Sequence, residues 1–120
     1  LVGYSGGGAV ALLLAAARTD VKQVQTIAGN VDPTAWTELK HIAPLTGSLN
    51  PVDFADQLAK VPQRHFIGMS DNVVPPDVAK SYMLKVQPLC GETVFVNADH
   101  HTGFEDSWAA YRDKSVQCDR

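Results

Sequence analysis

The chain opens on a glycine–serine turn between an apolar pair and a long run of helix formers, and this junction restricts the fold more than any other stretch. Gly3-Tyr4-Ser5-Gly6-Gly7 fits G-x-S-x-G, the pattern of a strand that turns abruptly into a helix and lifts a serine hydroxyl clear of the sheet. Glycines are expected on either side of the serine because a Cβ there would clash. Leu1 and Val2 supply the strand side, and residues 9–17 (AVALLLAAA) supply the helix side. A strand entering such a turn ordinarily brings about five apolar residues. Only Leu1 and Val2 stand here, and residue 1 is not an initiator methionine, so the expectation is the back half of something larger.

Downstream, strand-like and helix-like segments alternate. Residues 6–18 read as a helix that is apolar on every side and so buried against a sheet. Residues 24–28 form a short strand closed by Gly29-Asn30. Residues 31–49 are irregular, punctuated by Pro33, Pro44 and Gly47, with room for a short helix over 34–41. Asn50-Pro51 reads as a cap followed by proline at the first helical position, with Phe54, Leu58 and Val61 facing inward before Pro62. Residues 65–69 make a strand, and Ser70-Asp71-Asn72 turns out of it. Pro75-Pro76-Asp77 opens a helix to about Val86, with Val78, Tyr82 and Met83 or Leu84 as its apolar stripe. Residues 93–96 are the last strand, 97–103 a loop, and 104–116 a helix with Phe104, Trp108 and Tyr111 on one face. Strict alternation of this kind implies an α/β fold, a parallel sheet with helices on both faces, spanning residues 1–120 as one partial domain.

Composition narrows the classes. At 120 residues and 45% hydrophobic content the chain can bury a core. Ten basic residues against 13 acidic, with no basic run, argue against a nucleic-acid partner. The longest apolar run, 9–17, is too short to cross a bilayer, so no transmembrane segment is expected. No metal is expected, since neither cysteine has zinc-type spacing to another ligand. Cys90 and Cys118 bracket the last strand and helix. They read either as two ordinary thiols or as a disulfide tying the carboxyl terminus to the sheet. A disulfide would favour a periplasmic or secreted protein, whereas free thiols leave the cytoplasm open. The oligomeric state is not legible in the sequence.

Functional residues of a parallel α/β sheet collect where strands end at their carboxyl side. Three such ends carry suitable side chains: Ser5 in the turn, Asp71 after residues 65–69, and His100 just past the last strand. Serine is a poor nucleophile at neutral pH, so an imidazole must take its proton and return it to the leaving group. A carboxylate must hold that imidazole in one tautomer and stabilise its positive charge. The amide of Gly6 is placed to receive the negative charge that develops on an acyl oxygen.

With these residues the sequence resembles the carboxyl-terminal half of a serine-nucleophile α/β-hydrolase, similar to bacterial esterase- and lipase-like members. The resemblance rests on Gly3-Tyr4-Ser5-Gly6-Gly7, Asp71-Asn72-Val73-Val74-Pro75 and Asp99-His100-His101-Thr102-Gly103-Phe104. It implies Ser5 as nucleophile, Asp71 as acid, His100 as base and the Gly6 amide as oxyanion donor. The implied reaction is cleavage of a carboxylic ester or related acyl bond of a small molecule through an acyl-enzyme, with no cofactor. His101 is the alternate base, and Asp32, after the preceding strand, the alternate acid. Asp99, His41, His65, Trp36 and Trp108 are read as structural. Residues 31–49 are a candidate wall of the substrate pocket. Strands before the turn, and the second oxyanion donor they carry in this family, are not present. The isolated chain is therefore expected to turn over little and to expose a sheet edge beside Leu1 and Val2.

Two rival readings use the same residues. Gly6-Gly7-Gly8-Ala9-Val10-Ala11 also satisfies the dinucleotide fingerprint G-x-G-x-x-A, with Asp32 at a distance suited to a ribose contact. A catalytically inactive truncated hydrolase acting as a binding module is the second. It sits poorly with the presence of all three side-chain types.

Overall fold

The strands lie side by side in the order in which the chain makes them. The computed structural model describes residues 1–43 and 47–118. Among these, β1 (Val2–Tyr4), β2 (Val24–Ile27), β3 (Gln63–Gly68) and β4 (Gly91–Val96) form one all-parallel sheet of order β1-β2-β3-β4. Each parallel pair needs a crossover. These are α1 (Gly6–Ala17) between β1 and β2, α2 (Pro33–Lys40) and α3 (Ala55–Leu58) between β2 and β3, and α4 (Pro76–Val86) between β3 and β4. The last helix, α5 (Glu105–Tyr111), follows β4.

Because side chains alternate across a strand, the sheet separates two cores. Val24 and Ile67 pack with Leu12, Leu58, Val78 and Tyr82 under α1, α3 and α4. Phe66 and Val96 pack on the opposite face with Phe104, Trp108 and Tyr111 around α5. Phe66 meets both Trp108 and Tyr111 edge-on, at ring separations of 5.7 and 6.0 Å. The helices cover both faces.

Local chemistry explains the helix starts. Asp32 caps α2 by accepting from the Ala35 amide at 3.2 Å, with Pro33 at the first helical position. Asn50 accepts from the Val52 amide at 3.0 Å, again before a proline. The segment after it opens as a 3-10 turn (Pro51–Phe54) before α3.

Three expectations need correction, and the open choice at Cys90 and Cys118 is decided. Helix α1 is not buried all round: Val10 and Leu14 are 57% and 46% exposed, since only one side of the helix meets the sheet. The last helix covers Glu105–Tyr111 rather than 104–116, because the chain beyond Tyr111 is drawn off to Arg64, whose guanidinium binds the carbonyls of Tyr111, Lys114 and Ser115. Cys90 and Cys118 are not free thiols but a disulfide. His65 lies inside β3, which starts at Gln63. Pro44, one of the breaks read in residues 31–49, lies outside the described residues. Among the described residues no helix is long and apolar enough to cross a membrane.

Candidate active site

Ser5 occupies the single residue between β1 and α1 and adopts φ 53°, ψ −123°. A non-glycine residue in that region is strained by about 1–3 kcal/mol and persists only where its surroundings hold it. They do here. The Ser5 amide donates to the Ile27 carbonyl at 3.0 Å, and its own carbonyl accepts from Gly8 and Asn30, each at 2.9 Å. Gly3 makes the turn possible, for a Cβ there would stand 2.2 Å from the Gly7 carbonyl oxygen. The sequence expectation fails at Gly7, where a Cβ would meet nothing within 4 Å. The crowding falls on Gly8 instead, whose added Cβ would lie 3.0 Å from the Gly29 Cα.

The serine hydroxyl lies 2.9 Å from His100 Nε2, and His100 Nδ1 lies 2.9 Å from Asp71 Oδ2. Asp71 and His100 are 3% and 5% exposed. Asp71 is fixed by its other oxygen, which accepts from the amides of Val73 at 2.9 Å and Val74 at 2.8 Å. That leaves Oδ2 to meet an Nδ1–H, the tautomer in which Nε2 accepts the serine proton. The three residues lie 95 and 29 positions apart along the chain. The Gly6 amide opens α1, where first-turn N–H groups have no intrahelical partner and point outward.

The alternates fall elsewhere. His101 is exposed; its ring sits edge-on to His100 at 5.0 Å, and its Nδ1 approaches the Tyr4 hydroxyl at 3.3 Å. Asp99 turns the loop by accepting from the amides of His101 and Thr102 and the Thr102 hydroxyl. The amide bonds from His101 and Thr102, with the Thr102 hydroxyl, hold Asp99 below the ordinary carboxylate range. Asp32 is sealed away from solvent and binds Asn50, Ser81 and Lys85 besides capping α2. Burial pushes its carboxyl up, but the hydrogen bonds from Ser81, Lys85, Asn50 and Ala35 outweigh it and hold the group below its usual range. The Asp32 oxygens are thus taken up by Ala35, Asn50, Ser81 and Lys85, while His100 Nδ1 meets Asp71.

His65 is buried between Thr26 and Gln63, and His41 is exposed at the left-handed end of α2. Trp36 packs partly against the core and donates its indole N–H to the Val73 carbonyl at 2.8 Å. Sequence reasoning missed Tyr4, whose hydroxyl donates to the His100 carbonyl at 2.7 Å. The only signal was an aromatic beside Ser5, and nothing local indicates a partner 96 positions away. Among the described residues no group of three or more His, Cys, Asp or Glu side chains is arranged to hold a metal ion.

No family model matches the chain, and neither does any curated protein. Solved structures do. The Pyrococcus furiosus esterase Pf2001 superposes with a TM-score of 0.67 at 16% identity, over 94% of this chain and 49% of that one. The esterase domain of a Rhodothermus marinus protein gives 0.63 at 27% identity, over 83% and 50%. A Mycobacterium tuberculosis puromycin-hydrolyzing peptidase gives 0.66 at 23% identity, over 82% and 18%. The chain thus spans about half the length of the two esterases and less of the peptidase. With its four-stranded parallel sheet, flanking helices and serine turn between β1 and α1, the chain has the fold of the α/β-hydrolases and corresponds to about half of one.

Proposed function

We propose that the protein containing this chain is a serine hydrolase that cleaves a carboxylic ester or related acyl bond of a small molecule. The observation that carries the reading is the unbroken hydrogen-bond chain from Ser5 Oγ through His100 to Asp71. Ser5 Oγ attacks the carbonyl carbon while His100 Nε2 takes its proton, forming the new C–O bond of a tetrahedral intermediate. Asp71 holds the Nδ1–H and stabilises the imidazolium. The Gly6 amide meets the oxyanion, supported by the amino end of α1. Collapse breaks the bond to the leaving alcohol, which receives the proton from His100. Water, deprotonated by the same imidazole, then releases the acid and restores Ser5.

A groove of about 360 Å³ starts at Gly6 and runs over Ala9, Leu13, Asn30, Pro33 and Leu49. Its mostly apolar lining suits the hydrocarbon part of an acyl group. Pro33, Ser48 and Leu49, from the segment expected to wall a substrate pocket, lie along it. The esterases among the structural neighbours share the fold and make ester chemistry the first to assay.

The deciding experiment treats the protein in its native source with a fluorophosphonate and locates the label by mass analysis of peptides. A label on Ser5, abolished in Ser5→Ala together with ester hydrolysis, is the expected result. An unlabelled Ser5, or a Ser5→Ala variant that keeps its rate, ends the proposal.

A further inference from the structure

We propose that Tyr4 is the residue that positions the base: its hydroxyl pins the backbone of His100 to the strand that carries Ser5. The proposal rests on the serine-hydrolase reading and adds a role to a residue outside the hydrogen-bonded chain of Ser5, His100 and Asp71.

The sheet order creates the need. His100 leaves from β4, the strand farthest from β1, yet its imidazole meets Ser5 at the end of β1. Three strand spacings separate them, about 14 Å. The loop spanning this gap is braced mainly against itself and against β3. The Ala98 amide binds the Val96 carbonyl, Ser70 donates to the Ala98 carbonyl at 3.0 Å, and Asp99 closes the turn at residues 99–102. Toward β1 the hydrogen bonds of the loop are those of Ser5 itself and of Tyr4. The Tyr4 hydroxyl gives its one proton to the His100 carbonyl at 2.7 Å, leaving its oxygen as an acceptor toward His101 Nδ1 at 3.3 Å. The Tyr4 ring also lies 5.4 Å from the His100 ring, tilted by 35°.

Tyr4 and Ser5 are consecutive, so one short piece of backbone sets both the attacking oxygen and the main chain of its base. Ser5 points over the strand ends. Tyr4, in register with Ile27, faces the α5 side of the sheet and catches the loop there. Losing the clamp leaves His100 with side-chain bonds only. A base whose backbone drifts by a fraction of an ångström meets the serine less often in reactive geometry.

The test is Tyr4→Phe in the complete protein, assayed on a short-chain ester and by the rate of fluorophosphonate labelling. Tyr4 is half exposed and phenylalanine keeps the ring, so the variant folds; a melting curve close to wild type verifies this. The expected result is a fall of about fivefold in kcat and in labelling rate, the worth of one hydrogen bond, with KM unchanged within about twofold. Wild-type kcat in Tyr4→Phe, a loss confined to KM, or a rate loss matched by a collapsed melting temperature each overturns the role. An unlabelled Ser5 in the wild type removes the hydrolase reading and this role together. A labelled wild type with equally fast labelling of Tyr4→Phe removes this role alone.

Discussion

Arg64 and Glu92 face each other in register on β3 and β4 and close a 2.9 Å ion pair beneath the carboxyl-terminal segment. The guanidinium is 1% exposed and spreads its remaining donors over the Gln25 side chain and the carbonyls of Tyr111, Lys114 and Ser115. It also lies over the Tyr111 ring, 5.2 Å from its centre. Glu92 is partly buried, which raises its carboxyl. The bonds from Arg64 and the Gln117 amide, with the Arg64 charge, prevail and hold it below its ordinary range. One buried cation therefore ends α5 and fastens the tail to the sheet.

Arg64→Leu is accordingly expected to destabilise the fold by about 3 kcal/mol, since it strands a carboxylate and several carbonyls without donors. Adding Glu92→Leu should recover part of the loss, because the uncompensated charge goes with it. Urea unfolding midpoints of the single and double variants measure both. A single variant within 1 kcal/mol of wild type would show that the pair does not hold the tail.

The two aspartates considered as the acid separate by environment. Asp71 Oδ2 faces His100, whereas Asp32 is enclosed by α2, α4 and Asn50. Asp71→Asn should lower kcat on a reactive ester by about ten-thousandfold and leave melting little changed. Asp32→Asn should do the reverse, lowering the melting temperature by several degrees, since Lys85 and Ser81 lose a charged acceptor. Kinetics and melting of the two variants side by side decide it, and exchanged phenotypes would assign the acid to Asp32.

The alternation of elements is legible in the sequence because it rests on local chemistry: Asn50-Pro51 and Asp32-Pro33 as helix starts, the glycines around Ser5, and strand-length apolar runs. Where candidate side chains sit at strand ends is legible for the same reason. What lies nearest to what is not. Which of two adjacent histidines turns toward Ser5 depends on the Asp99 turn, which aims His100 inward and leaves His101 exposed. The end of α5 depends on Arg64, 47 positions from the first carbonyl it claims. The outward face of α1 escapes a composition argument, because alanine and leucine read alike on both sides of a helix. Tyr4 is the clearest case, since its partner lies across the whole sheet.

The disulfide sits at the opposite end of the strands from the candidate site. Cys90 directly precedes β4, and Cys118 follows the segment fastened by Arg64. The bond closes a span of 28 residues, and a constraint of this size stabilises by about 3.5 kcal/mol through the unfolded chain. Reduction, or the pair Cys90→Ala and Cys118→Ala, should lower the unfolding midpoint accordingly. Labelling of Ser5 at 25 °C should stay within about twofold of the oxidised protein, because the Arg64 contacts persist and His100 lies beyond the other end of β4. Loss of labelling on reduction, with the fold retained, would show that the tail reaches the site.

The buried histidine supplies the last expectation, a dependence of stability on pH. His65 Nδ1 accepts from the Thr26 hydroxyl at 2.6 Å, and its Nε2–H meets Gln63 Oε1 at 2.9 Å. Gln63 in turn accepts from the Tyr82 hydroxyl at 2.6 Å, and the Tyr82 ring packs edge-on to the imidazole at 5.3 Å. No carboxylate stands among these partners to balance a positive charge. Burial therefore lowers the imidazole from 6.5 to about 4. In the unfolded chain the same ring charges near 6.5, so between these values the unfolded state holds more protons and stability rises with pH. The contribution is complete above pH 7, falls away as pH drops through 6.5, and levels off below about 4. Between pH 7 and pH 5 the loss amounts to about 2 kcal/mol, before most carboxylates begin to titrate. Urea midpoints across that interval give the loss, and the His65 ring protons followed by NMR assign it. A ring that titrates near 6.5 in the folded protein, or a midpoint flat from pH 7 to pH 5, would show that the pocket tolerates the charge.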